Sequence, residues 1–184
     1  MTIDRHIALI GIKHSGKTSA GRILARKLGV NLSDTDDLLG NLASQRLAGP
    51  RPPTVAEVYA KLGERGFGEL ECEVIAHAVE LPPHVIATGG GIADRPQCLE
   101  RLGARAVLVY LALGVETAVS RVLQRGVPAF VAGSDPGTEL VAVFTRRAER
   151  YAQVCDVAVE TTGLSSAQIA GRIMEGLEAS GHGR

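Results

Sequence analysis

The sequence predicts an α/β fold in which a parallel β-sheet is covered by helices on both faces. Short apolar runs alternate along the chain with longer segments of helical periodicity, an order typical of βαβ units. The apolar runs also lack the polar–apolar alternation of a half-exposed strand, so both of their faces are expected to be buried. With 184 residues, the chain is expected to form a single domain over residues 1–184.

The first half of the chain predicts two strands and four helices. An apolar run that ends at Gly11 is the first strand, and apolar residues at helical spacing then continue to Gly29, a residue type that ends many helices. Gly49-Pro50 and Pro82-Pro83 are expected to end two later helices, because proline cannot continue one. In order, the predicted elements are strand 7–10, helix 17–28, strand 30–32 and helices 36–47, 55–62 and 69–81.

The second half predicts three strands that alternate with four helices. A buried strand opens into three consecutive glycines, and a continuous apolar run follows the next helix. The predicted elements are strand 85–87, helix 95–102, strand 106–111, helices 115–124 and 139–154, strand 157–159 and helix 165–179. Residues 50–68 and 126–137 are rich in glycine and proline, so these stretches are expected to be the most mobile.

Composition excludes several classes of function. Lys and Arg number 20 and so do Asp and Glu, which leaves no basic excess for a nucleic acid or a membrane surface. The N-terminal apolar run is short and interrupted by glycine, so no signal or membrane-spanning segment is expected. The three cysteines, Cys72, Cys98 and Cys155, form no C-x-x-C pair. Neither a zinc site nor a disulfide is therefore expected, and a reducing cytoplasm is the expected compartment of a monomeric protein.

Residues 11–18 match the phosphate-binding pattern G-x-x-x-x-G-K-[ST] in full, between a predicted strand and a predicted helix. Backbone N–H groups of such a loop surround phosphates, the lysine contacts the β- and γ-phosphates, and the hydroxyl contacts Mg²⁺. The alternative is a glycine-rich turn with an exposed lysine. The candidate nucleotide-binding residues here are Gly11, Ser15, Gly16, Lys17, Thr18 and Ser19.

Two carboxylates, Asp34 and Asp36, follow the second predicted strand. Ligand sites in α/β sheets lie beyond the carboxyl ends of strands, so one aspartate can lie near the metal while the other accepts a hydroxyl proton. The alternative is that they cap the helix that follows, since aspartate favours this position.

Glycines and arginines complete the candidate site. Gly89, Gly90 and Gly91 form a turn without side chains, in which a ligand can touch the backbone, unless the turn is an ordinary connection. Arginine binds phosphates and carboxylates through paired hydrogen bonds. Any single one of the later arginines can instead belong to a solvated helix face. These arginines are Arg121, Arg125, Arg146, Arg147 and Arg150.

The order of these motifs, closed by an Arg-x-x-x-Tyr at residues 147–151, resembles the shikimate kinase family from about residue 7 to residue 174. The resemblance implies a fold like that of nucleoside monophosphate kinases, with a five-stranded parallel sheet. It also implies a substrate-binding segment at about 35–68 and a lid at about 124–137. The implied reaction is the phosphorylation of the 3-hydroxyl of shikimate by ATP and Mg²⁺.

The resemblance also implies roles for single residues. Lys17 and Thr18 match the phosphate-loop pair, and Asp34 matches the carboxylate near Mg²⁺. Asp36 matches the carboxylate that holds the substrate hydroxyl and is the candidate base. The remaining matches are Gly89, Gly90 and Gly91 facing the substrate, Arg121 stacking on adenine and Arg147 holding the shikimate carboxylate.

Two positions depart from the family pattern. The motif G-E-x-x-F-R-x-x-E, at residues 63–71, has Gly68 in place of an arginine that holds the carboxylate. The lid motif R-P-L-L begins here with Val127. Arg65 or Arg125 would have to take the place of the missing arginines. Three functions stay open: a shikimate kinase with compensating residues, a kinase for another small hydroxylated acid such as homoserine or a sugar acid, and a nucleotide-binding protein without enzymatic activity.

Overall fold

The computed structural model describes residues 3–47, 51–128, 131 and 133–182. Within these residues there are five strands, as the sequence predicts, and seven helices instead of the predicted eight, because one helix replaces those predicted at 55–62 and 69–81. The elements are β1 (His6–Ile10), α1 (Lys17–Leu28), β2 (Leu32–Asp34), α2 (Thr35–Arg46), α3 (Val55–Ala78), β3 (Val85–Ala87), α4 (Pro96–Arg105), β4 (Ala106–Ala112), α5 (Val115–Arg125), α6 (Pro136–Val154), β5 (Val157–Glu160) and α7 (Ser166–Ala179).

The five strands form one parallel sheet in the order β2-β3-β1-β4-β5. The predicted fold class is therefore confirmed. β1 is the central strand, and the direction of the chain connections reverses beside it. Because ligands bind at the carboxyl ends of strands next to such a reversal, the loop that follows β1 lies at the place where a site is expected.

The three inner strands, β3, β1 and β4, are buried on both faces, which explains their lack of polar alternation, whereas the edge strand β5 alternates buried and exposed residues. On one face, Leu9 and Val109 pack with α1 and α7 in one apolar cluster. On the other face, Ile10 and Leu108 belong to a cluster that includes Phe144 of α6. A third cluster joins α2 to α3.

The helix predicted at 55–62 is present, but residues 64–68, which were predicted to lie outside any helix, are helical too, so that part of the prediction was wrong. A capping box between Thr54 and Glu57 starts α3. Gly63, with φ 65° and ψ −178°, kinks the helix where the sequence predicted its first segment to end. The chain then resumes a helical path through residues 64–68, because this half of α3 packs against α2. The predicted helix end at Gly49-Pro50 lies outside the described residues.

Two smaller differences between the predicted and the observed elements concern candidate site residues. β2 lies two residues later than predicted, which makes Asp34 its last residue and the N-cap of α2. A 3₁₀ turn, Ile92–Asp94, follows the three glycines and was not predicted. Of the predicted lid at about 124–137, residues 129, 130 and 132 lie outside the described part of the chain.

A disulfide joins Cys72 of α3 to Cys98 of α4, with 5.4 Å between the Cα atoms. The expectation of no disulfide was therefore wrong. Cysteine spacing carried no signal for it, because the two residues are 26 positions apart and meet only where α3 packs against α4. Cys155 is the free cysteine.

We expect reduction of this disulfide to destabilise the protein by about 3.5 kcal/mol, the loop-closure entropy for a 26-residue separation. Urea unfolding with and without a thiol reductant measures the difference. Cys155→Ser is the control and should respond to the reductant as the wild type does. An unfolding midpoint that does not change on reduction would contradict the expectation.

No helix among the described residues combines the length and apolar character needed to cross a membrane.

Candidate active site

A cavity of about 770 Å³ opens at the carboxyl ends of the central strands. Its size suits small-molecule ligands. The loop after β1, the N-terminal ends of α1 and α2, the glycine turn after β3, and helices α3, α5 and α6 contribute to its wall. The structure thus brings distant parts of the sequence to one place.

The loop after β1 has the backbone that phosphate binding requires. Gly11 has φ 146°, and a Cβ there would lie 2.7 Å from the carbonyl oxygen of Leu111, so only glycine fits. Gly16 has φ 96° and lies at the N-cap of α1. The loop therefore ends at a helix N-terminus with N–H groups that have no helical partner, which favours an anion.

Lys17 is buried under this loop rather than exposed. Its Nζ donates hydrogen bonds to the carbonyl oxygens of Gly11 at 2.8 Å and Ile12 at 2.9 Å. Burial lowers the pKa of Lys17 to about 8, although the charges of Asp36 and Asp34 oppose the shift. A buried ammonium with so little compensating negative charge favours a polyanionic ligand beside it. The alternative of an exposed turn lysine is excluded.

Thr18 and Asp34 present two oxygen ligands next to the phosphate loop. Thr18 Oγ1 donates to Asp34 Oδ2 at 2.7 Å, while Asp34 Oδ1 accepts from the backbone N–H of Asp36 at 3.0 Å. Asp34 thus caps α2 and faces Thr18 at the same time. A hydroxyl and one carboxylate fit Mg²⁺, which usually takes one or two protein oxygens plus phosphates and water. Among the described residues, no group of three or more His, Cys, Asp or Glu side chains is placed to hold a metal ion.

Asp36 opens into the cavity from the first turn of α2. The cavity walls reduce its hydration, and the negative charge of Asp34 adds to this effect, so the pKa of Asp36 is raised despite Lys17. A carboxylate with a raised pKa is a stronger proton acceptor than an ordinary aspartate. Asp36 therefore has the position and the electrostatics of a general base.

The three glycines let the turn after β3 approach other parts of the site. A Cβ at Gly89 would lie 2.9 Å from Asp36 Oδ1, and one at Gly90 would lie 2.9 Å from the backbone nitrogen of Lys13 in the phosphate loop. Gly91 faces the Arg147 guanidinium. The turn is thus packed between the loop, α2 and α6. Contact of a ligand with these glycines stays a prediction.

Arg147 is buried at the far end of the cavity and forms an ion pair with Asp94. Its Nη2 lies 2.7 Å from Asp94 Oδ2, and its Nε donates to the same oxygen at 2.9 Å. Burial alone would raise the pKa of Asp94, but the hydrogen bonds from Arg147 and Arg146 lower it overall. Tyr151 fixes this region, because its hydroxyl donates to Gly90 O at 3.1 Å.

Two further arginines cover the phosphate loop from α5. Arg121 donates to the carbonyl oxygen of His14 at 2.8 Å, and Arg125 lies 3.3 Å from His14 Nδ1. Burial and the charge of Arg125 lower the pKa of His14 to about 4. His14 is therefore neutral at physiological pH, and this end of the cavity carries the two guanidinium charges.

The two arginines that were proposed to replace the missing family arginines lie in different surroundings. Arg125 lines the cavity, whereas the Arg65 side chain is 94% exposed and pairs with Glu69. Val127 is 45% exposed and brings no charge.

Sequence reasoning missed two ionisable residues of the cavity, Arg95 and Asp94, and assigned no role to Glu71. Burial raises the pKa of Glu71 to about 7, even though the charge of Arg95 opposes this. Arg95 was predicted only as the first residue of helix 95–102 and Asp94 only as part of a connection, and no local pattern marks either side chain as part of a site.

Comparisons with known proteins agree with this geometry. The sequence profile of shikimate kinase matches residues 13–178. The shikimate kinase of Symbiobacterium thermophilum is 35% identical over 178 residues, covering 96% of this chain and 98% of that protein. The one from Moorella thermoacetica is 35% identical over 174 residues, covering 95% of each.

Solved structures show the same relationship. The structure of shikimate kinase from Acinetobacter baumannii in complex with shikimate superposes with a TM-score of 0.84 at 26% identity, covering 95% of this chain and 93% of that one. Shikimate kinase from Aquifex aeolicus shares the fold, with a TM-score of 0.78 at 23% identity and full coverage of both chains. The chain belongs to the shikimate kinase family, whose members are ATP-dependent phosphotransferases that act on a hydroxyl group.

Proposed function

We propose that this protein transfers the γ-phosphate of ATP to the 3-hydroxyl of shikimate. The observation that carries the proposal is the convergence of Lys17, Asp36 and Arg147 on one cavity. These side chains supply a cation for the transferred phosphate, a base for the acceptor hydroxyl and a partner for the acceptor carboxylate. Family membership and the solved relative in complex with shikimate support the same acceptor.

The nucleotide is proposed to bind along the loop after β1. Backbone N–H groups at the N-terminus of α1 bind the phosphates, and Lys17 contacts the β- and γ-phosphates. Arg121 contacts the loop at the carbonyl oxygen of His14 and is proposed to stack on the adenine. Thr18 and Asp34 would hold Mg²⁺, which neutralises phosphate charge when it is bound.

The acceptor is proposed to bind between Asp36, the glycine turn and Arg147. Asp36 takes the proton of the 3-hydroxyl while the oxygen of that hydroxyl forms a bond to the γ-phosphorus. The bond between that phosphorus and the bridging oxygen of ATP breaks, and ADP leaves. Lys17 and the backbone N–H groups stabilise the charge that spreads over the phosphoryl oxygens. Because one chain supplies every group named here, we propose a monomer. We place it in the cytoplasm because ATP is available there, although a reducing compartment disfavours the Cys72–Cys98 disulfide.

The acceptor is tested by ADP release from saturating ATP and Mg²⁺, with and without shikimate. We expect acceptor-dependent turnover of roughly 1–100 s⁻¹, with shikimate 3-phosphate identified as the product by NMR. Homoserine and gluconate are the comparison acceptors and should give only the background rate. Turnover with one of these and none with shikimate would contradict the proposed acceptor, while background rates throughout would favour a nucleotide-binding protein without enzymatic activity.

A further inference from the structure

The position of the missing family arginine is occupied by another arginine. Gly68 is buried in α3. A Cβ built on it would lie against Nε of Arg95 and 2.9 Å from its Cζ. Arg95 enters from a different element, the junction between the 3₁₀ turn and α4. Glycine at position 68 is what leaves room for this guanidinium.

Arg95 is shielded but loosely held. Only 17% of its side chain is exposed, yet its nearest carboxylate atoms, in Glu64 and Glu71, are 3.7 Å away. Its side-chain hydrogen bonds go to carbonyl oxygens, of Glu64 at 3.3 Å and Asp94 at 3.4 Å. These distances are long for charge-assisted hydrogen bonds, which are usually about 2.7–2.9 Å. An incoming carboxylate would therefore form shorter bonds than Arg95 has now.

The charge of Arg95 is also incompletely neutralised. Glu71 is the more buried of its two acidic neighbours, and a pKa of about 7 means that Glu71 carries only part of a negative charge at neutral pH. Glu64 is 73% exposed, so solvent screens its charge. Glu64 and Glu71 therefore leave part of the positive charge of Arg95 uncompensated at the cavity wall.

Arg95 and Arg147 line the same cavity, and both contact Asp94: Arg147 pairs with its carboxylate, and Arg95 donates to its backbone carbonyl oxygen. Arg147 reaches the cavity from α6, and Arg95 follows Asp94 directly in the chain. A carboxylate between two guanidinium groups receives hydrogen bonds on both of its oxygens, which is the strongest arrangement for this anion.

We propose that Arg95 is the second carboxylate-binding residue of the acceptor site and sets the preference for a carboxylate-bearing acceptor. This inference rests on the proposed function. It assigns to Arg95, rather than to Arg65 or Arg125, the compensation for Gly68.

Steady-state kinetics of Arg95→Ala test the proposal. We expect KM for shikimate to rise about 10- to 150-fold, the cost of hydrogen bonds to a charged group, with KM for ATP unchanged. Arg65→Ala is the matched control, because Arg65 is exposed and outside the cavity wall, and it should behave as the wild type. Thermal unfolding checks that both variants fold.

The methyl ester of shikimate separates binding from a structural role. The ester lacks the negative charge, so the wild type and Arg95→Ala should use it within about 3-fold of each other. An equal loss of activity on shikimate and on its methyl ester in Arg95→Ala would show that Arg95 acts only through the fold and would overturn the proposal. So would an unchanged KM for shikimate in Arg95→Ala.

A double variant tests whether Arg95 fills the space that an arginine at position 68 would occupy. In the Arg95→Ala background, Gly68→Arg should recover KM for shikimate to within about tenfold of the wild type, since an arginine again fills that space. Gly68→Arg alone should not improve KM, because the two side chains would collide. A wild type inactive on shikimate would overturn both the proposed function and this inference, whereas an active wild type with an unaffected Arg95→Ala variant would overturn this inference alone.

Discussion

Lys17→Met should lower kcat/KM by at least about 100-fold, the usual cost of removing one preorganised charge donor from a transition state. Methionine keeps the apolar stem of the side chain and lacks only the terminal charged group. It removes the ammonium that the loop carbonyls of Gly11 and Ile12 hold in place. Steady-state ADP release measures the effect. Lys27→Met, an exposed position in the last turn of the same helix, is the control and should keep wild-type activity.

The free energy of unfolding shows whether Lys17→Met loses activity because the reaction fails or because the chain does not fold. The folded-state pKa of Lys17, about 8, lies below its ordinary value of 10.5. The fold therefore disfavours the charged form. Wild-type stability should rise between about pH 8 and pH 10.5, because the unfolded chain there binds more protons. Lys17→Met should lack this rise and be at least as stable at pH 7. A variant that is folded and keeps more than about a tenth of wild-type kcat/KM would contradict the role of Lys17.

Asp36→Asn should lower kcat by about 10²- to 10⁴-fold, the usual contribution of a general base. Asparagine has nearly the same shape but cannot accept the hydroxyl proton. KM for ATP should change little, because Asp36 faces the acceptor side of the cavity beside Gly89. Asp37→Asn is the matched control, since Asp37 is the neighbouring carboxylate of the same helical turn but does not line the cavity.

The pH dependence of kcat gives an independent readout for Asp36. The base must be ionised, so the rate should fall as pH decreases through the raised pKa of Asp36. Asp36→Asn should remove this acid limb together with most of the rate. An unchanged kcat in Asp36→Asn would contradict the proposed acceptor site.

Local signals predicted most of the fold. Apolar runs without alternation and glycine-bounded helices located all five strands and most helix boundaries, because these patterns report burial and backbone preference within a few residues. The failures came where a contact distant in sequence decided the outcome. Residues 64–68 are helical because α3 packs on α2, and packing of this kind overrides the low helix propensity of glycine.

The candidate site divides in the same way. The sequence alone determined the phosphate loop and the carboxylates that follow β2, because those residues lie together in the chain and the backbone positions them directly. The tertiary structure alone decided that Arg95 fills the space beside Gly68 and that Cys72 meets Cys98. The physical reason is that both contacts join α3 to the segment of the 3₁₀ turn and α4. Their geometry depends on how these elements pack, which no spacing of residues encodes.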